Sequence, residues 1–123
     1  MFSPKTYRED LLLLHLKKYQ EDKALNDLLE WIQDWYLSNC NGDWEHFYGV
    51  KIDTLDNPGW MVTIHLNETI LENAPFQKVN LERSEQDWVA CRTESGEFKA
   101  ACGPKNLSEV LTIFKNWAIS ISG

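Results

Sequence analysis

The chain has 123 residues, 43% hydrophobic and 25% charged, a composition that supports one folded domain over residues 1–123 and excludes intrinsic disorder. Its net charge of −7 excludes direct binding to nucleic acid or an anionic membrane surface, because counterion release needs a Lys/Arg stripe that is missing here. The three cysteines, Cys40, Cys91 and Cys102, form no CxxC and read as buried free thiols in a reducing compartment.

From Lys5 to Ser38 there is no Gly or Pro, and helix formers dominate. Leu25, Leu28, Leu29, Ile32, Trp35 and Tyr36 recur at spacings of three and four, which predicts one apolar helix stripe. Leu11–Leu16 (LLLLHL) predicts an earlier helical stretch, either continuous with the stripe or broken near Tyr19–Lys23. Glu9, Asp10, Lys17 and Lys18 bracket that run, which falls well short of the ~20 apolar residues of a membrane span. With no secretory signal pattern either, the expected location is cytoplasmic. Asn41-Gly42 marks the helix stop.

Periodicity then changes to two. Tyr48, Val50 and Ile52 alternate with polar positions, as do Trp60, Val62, Ile64 and Leu66, which predicts two strands with one core face each. Asn57-Pro58-Gly59 between them fits a type II hairpin turn. Three further strands are expected over Phe76–Arg83, Trp88–Thr93 and Glu97–Cys102. After Gly103-Pro104, Asn106 and Glu109 have the spacing of a capping box. The helix that follows would carry Leu107, Val110, Leu111, Phe114, Trp117 and Ile121 on its apolar stripe. The expected class is α+β: one or two N-terminal helices, a five-stranded antiparallel meander, and a C-terminal helix packed on one sheet face.

Charge is concentrated. Residues 41–75 hold Asp43, Glu45, Asp53, Asp56, Glu68 and Glu72 against Lys51 alone, whereas residues 76–123 hold equal numbers of acids and bases. In NGDWEHFYGVKIDTLDNPGW (Asn41–Trp60) the acids are interleaved with Trp44, Phe47, Tyr48 and Trp60. A solvated face is the plain explanation of such a charge run. Acid beside rigid aromatic surface is also how a patch for a basic partner is built. The expected binding residues are Asp43, Glu45, Asp53 and Asp56, with Trp44 as aromatic anchor, while Trp31, Trp35, Trp60, Trp88 and Trp117 belong to the core.

A catalytic or metal site would have to use His46 with Asp43 and Glu45. In an extended segment, however, Glu45 and His46 point to opposite faces, and neither HExxH nor DxD occurs. His65, in the second strand, is the candidate second histidine. No GxSxG, phosphate-binding glycine pattern or cofactor motif is present.

Trp35-Tyr36, CNGDWEHFYG (Cys40–Gly49) and TLDNPGW (Thr54–Trp60), with Gly103-Pro104, Asn106-Leu107, Phe114 and Trp117, resemble the immunity protein 53 family. The resemblance runs from about Leu25 to Ala118 and leaves residues 1–24 as a helical addition outside it. It implies a cytosolic, non-enzymatic bacterial protein that binds and neutralises a cognate polymorphic-toxin domain, without cofactor or metal. Excess acid suggests a nuclease toxin, whose phosphate-binding surface must be positive. A small metal-dependent enzyme or metal-binding protein using His46, Asp43 and Glu45 is the alternative. A homodimer through a sheet face or the N-terminal leucines is compatible with either.

Overall fold

The computed structural model describes residues 4–123. A helix α1 (Pro4–Asn39) and a one-turn helix α2 (Trp44–Phe47) lead into strands β1 (Val50–Leu55) and β2 (Gly59–His65). Strands β3 (Val79–Glu82), β4 (Trp88–Glu94) and β5 (Glu97–Cys102) follow, and helix α3 (Leu107–Ser122) completes the order. The α+β class is as expected, with one unbroken α1. The short α2 has no counterpart in the periodicity, since WEHF is too brief to show one.

All neighbouring strands are antiparallel, in the order β1-β2-β5-β4-β3. Two meandering units, β1-β2 and β3-β4-β5, thus meet through β2 and β5. The connection after β2 crosses to the far edge through successive turns, with Thr69 N–H donating to Leu66 O and Ala74 N–H to Leu71 O, and Leu71 fully buried. Hairpin β4-β5 turns at Ser95 and Gly96, with φ of 51° and 76°. Two positive φ values in a two-residue loop match the twist of the flanking strands.

The first hairpin turns differently from expectation. A type II turn would need positive φ at Gly59, but the positive-φ glycines are Gly42 and Gly96, and the Asn57–Pro58 peptide is cis. Glycine is required at position 59 for another reason: a Cβ there would overlap the backbone carbonyl of Cys102 on β5.

One sheet face is covered by α1 and α3. Val62, Ile64, Val89, Cys91, Phe98, Ala100 and Cys102 pack there against Val110, Leu111, Phe114 and Trp117 of α3 and Leu28 of α1. Phe114 is the hub, with ring centroids 5.1 Å from both Trp35 and Phe98. Trp117 Nε1 donates to Pro75 O (2.8 Å) and Trp60 Nε1 to Pro104 O (3.0 Å), so each indole buries its ring and satisfies its N–H. The opposite face is open, with Met61 paired to Ala101, Ala101 to Ala90, and Lys51 to Thr63. Trp88 shares that open face with Ala90 and Arg92 by the two-residue alternation, and so is only half-buried.

Asn106 occupies the N-cap position of α3 but makes no side-chain cap bond. Its Nδ2 instead donates to Asp87 Oδ1 (2.9 Å) and Glu109 Oε1 (3.1 Å). Arg83 binds both carboxylates, Asp87 through Nε (3.0 Å) and Glu109 through Nη1 (3.1 Å) and Nη2. The expected capping box is therefore replaced by a clasp between the β3–β4 turn and α3. Hydrogen bonds from Arg83 hold both carboxyls below the usual carboxylate range, with Asn106 assisting.

Candidate functional site

The end of α1 is closed by side chains. Ser38 Oγ and Asn39 Nδ2 donate to Trp35 O (2.7 and 2.9 Å), and Cys40 Sγ to Tyr36 O (3.3 Å). These groups meet carbonyls that a helix terminus leaves without partners. Asn41 Oδ1 then accepts from the backbone N–H groups of Asp43 (3.0 Å) and Trp44 (2.9 Å), which starts α2. Glu45 folds back to accept from the N–H groups of Asn41 (2.9 Å) and Gly42 (2.9 Å to Oε2). Its carboxyl is held below the usual range, first by its own backbone N–H and then, against the opposing effect of burial, by those of Asn41 and Gly42.

Trp44, the expected aromatic anchor, is 1% exposed, so its ring offers almost no free surface. The indole Nε1 donates to Asn67 O (2.8 Å), and the ring packs among Trp35, Tyr36 and Tyr48 at centroid distances of 6.2, 5.9 and 6.1 Å. It therefore pins α2 to α1 and to the β2–β3 connection. The exposed aromatic is its neighbour Phe47, at 76%. One helical turn separates the two fates: residues three apart lie on one face of a helix, but here the turn ends at Phe47 and releases its ring outward.

Phe47 forms one rim of a cleft of about 620 Å³ between α1, α2 and the start of the first hairpin, with Tyr36, His46, Tyr48, Lys51 and His65 also lining it. Its floor is fixed by His65, whose Nδ1 accepts from Gly49 N–H (3.1 Å). Nδ1 lies at the same 3.1 Å from Gly49 O, so the Gly49 peptide holds this edge of the ring in either tautomer, and Nε2 faces Glu97 Oε1 at 3.8 Å. The cleft brings His46 and His65 to one site, as the pairing of the two strands and α2 requires.

The expected acids do not form one cluster. Asp43 and Glu45 sit at the α2 end of the hairpin and Asp56 at its turn, and the six residues of β1 between them span roughly 20 Å. Asp53 lies between, opposite Met61 on the open sheet face. Asp43, Asp53 and Asp56 are exposed and, among the described residues, take part in no ion pair, whereas Glu45 is committed to its loop. Asp53 thus stands on the edge strand β1, with Asp43 and Asp56 in the loops at its two ends.

Among the described residues no three His, Cys, Asp or Glu side chains converge as a metal-ligand set. The Cys91 thiol is pushed up to about 12 by burial, with Cys102 and Glu109 adding, which leaves it protonated and unreactive. Also among the described residues, no helix is long and apolar enough to cross a membrane. Two residues of this site were missed in the sequence, Phe47 as the exposed ring and Glu45 as a loop tie. The Asn41–Glu45 spacing, with a Gly between, is the signal that could have found the second.

Comparison with curated proteins and with solved structures gave no match. The model of the family described as Immunity protein 53 matches residues 29–119, from the last third of α1 to near the end of α3, and so includes the cleft and the whole sheet. The chain belongs to the Immunity protein 53 family.

Proposed function

We propose that this chain binds a cognate bacterial toxin domain in the cytoplasm and neutralises it by occupying its surface, without catalysis. The contact is built on Phe47 and the cleft behind it, with Asp43, Asp53 and Asp56 along the neighbouring sheet edge. The observation that carries this reading is the exposure of Phe47 beside an aromatic-lined cleft on the most acidic part of the chain. Aromatic rings at the rim of an aromatic-lined cleft are what binding hot spots are built from, and a partner that covers Phe47 gains its apolar area. Unpaired edge carboxylates add long-range attraction to a positive partner, and a nuclease that holds phosphate is such a partner.

The test is calorimetric titration against the toxin domain encoded beside the immunity gene, at low and high salt. Tight binding that weakens with salt, and weakens further in Phe47→Ala, is expected. Tight binding unchanged by salt and by Phe47→Ala would keep the immunity role and refute this site.

A further inference from the structure

The N-terminal half of α1 carries an apolar surface that the rest of the fold does not cover. Leu13 and Leu14 are 65% and 64% exposed, and Leu11, Leu12, Leu16 and Tyr19 are exposed as well. The stripe that packs on the body is Leu28, Trp31, Ile32 and Trp35. Eighteen positions earlier, a whole number of turns at about 3.6 residues each, the same side of the helix presents Asp10, Leu13, Leu14 and Lys17. The face that finds a core along one half of α1 therefore continues, without one, along the other.

We infer that this face pairs with the same face of a second copy of the chain, as two antiparallel helices about a two-fold axis between Leu13 and Leu14. The charges select that occupant. Acidic Asp10 precedes the leucines and basic Lys17 follows them, at equal distances from the axis. In the antiparallel pair Asp10 faces the partner's Lys17, twice by symmetry, and Leu13 and Leu14 interleave with their copies. A parallel pair would set acid on acid and base on base, at a cost. The Asp10–Lys17 stretch lies N-terminal to Glu21, where the groove between α1 and α3 begins. It also lies about 30 Å along α1 from Tyr36, at 1.5 Å per residue, which leaves the toxin cleft free in both copies.

The experiment is sedimentation of the full chain from low to high micromolar concentration, without toxin, with near-UV circular dichroism to report the body's tryptophans. A species of twice the 14.4 kDa chain mass is expected, reduced to monomer in Leu13→Asp/Leu14→Asp with the tryptophan signal intact. Asp10→Lys alone and Lys17→Asp alone each weaken the dimer by about tenfold, since two exposed pairs of under about 1 kcal/mol are reversed. The double variant restores it, because each reversed charge again meets its opposite. A monomer at every concentration overturns the inference. So does a dimer indifferent to the leucine and charge variants, or one abolished only by Leu12→Asp/Leu16→Asp on the other side of the helix.

Discussion

Replacing Trp44 separates the two roles open to an aromatic in this loop. If Trp44 works by tying α2 to the body, Trp44→Ala removes a ring that is 1% exposed and touches three other aromatics. Truncations of that kind cost about 3–5 kcal/mol, a large part of the roughly 5–15 kcal/mol that keeps a domain folded. Trp44→Phe keeps most of the apolar ring but deprives Asn67 O of its donor, which costs about 1–3 kcal/mol. Urea unfolding followed by near-UV circular dichroism reads both, and the order wild type, Phe, Ala is expected. Toxin affinity, measured on folded Trp44→Phe, should stay within a few-fold of wild type, because a ring 1% exposed offers a partner almost no surface. A Trp44→Ala variant as stable as wild type, yet with strongly reduced toxin affinity, would falsify the structural role and return Trp44 to the binding surface.

The remaining predictions concern the rim, the clasp and the hairpin. Phe47→Ala should leave the unfolding midpoint within error and weaken toxin binding by about 2 kcal/mol, or roughly 30-fold, as removal of a central exposed ring does. Asp87 and Glu109 have depressed folded-state pKa values, so their clasp stabilises fully above the unfolded carboxylate range and loses its effect as pH falls through the lower folded values. Thermal midpoints below about pH 4 should therefore fall more steeply in wild type than in Arg83→Met, and parallel curves would remove the clasp from the account. Gly59→Ala sets a Cβ against the Cys102 carbonyl and should destabilise by about 3 kcal/mol or more, read as loss of the urea midpoint.

The sheet and both long helices were legible because each carries its period over many residues. The two-residue alternation from Trp60 to Leu66 puts Val62 and Ile64 inside, and the spacing of Val110, Phe114 and Trp117 does the same for α3. Sheet order was less legible, since pairing of β2 with β5 joins segments more than thirty residues apart and leaves no local mark. Cross-strand partners are chosen by the shape of the buried face, here Ile64 beside Phe98 and Val62 beside Ala100. In the site, charge and aromatic content located the right stretch, but not which ring faces water. That choice is made by one turn of helix, by Asn41 and Glu45 holding its entry and by Asn67 O waiting for an indole N–H. None of these shows as periodicity, and an α2 of four residues is too short to carry a stripe.

The edge position of the acids bears on what they do for the protein when no partner is present. An edge strand offers unpaired backbone groups to any other chain, and charged side chains are one way natural sheets prevent that pairing. Asp53 and Lys51 stand on β1, and Glu82 stands on the other edge strand, β3, so both edges carry charge. Edge protection alone would therefore account for Asp53, which Lys51 balances on β1, but not for Asp43 and Asp56 in the loops at the two ends of that strand. Protection works with charge of either sign, whereas attraction to a positive toxin needs carboxylates without compensating bases. The two roles come apart in an Asp43→Asn/Asp53→Asn/Asp56→Asn variant. If the acids steer, its association rate with the toxin falls and loses most of its salt dependence while the protein stays dispersed. If they only guard the edge, the variant associates with itself on concentration, and its encounter with the toxin keeps the wild-type rate and salt slope.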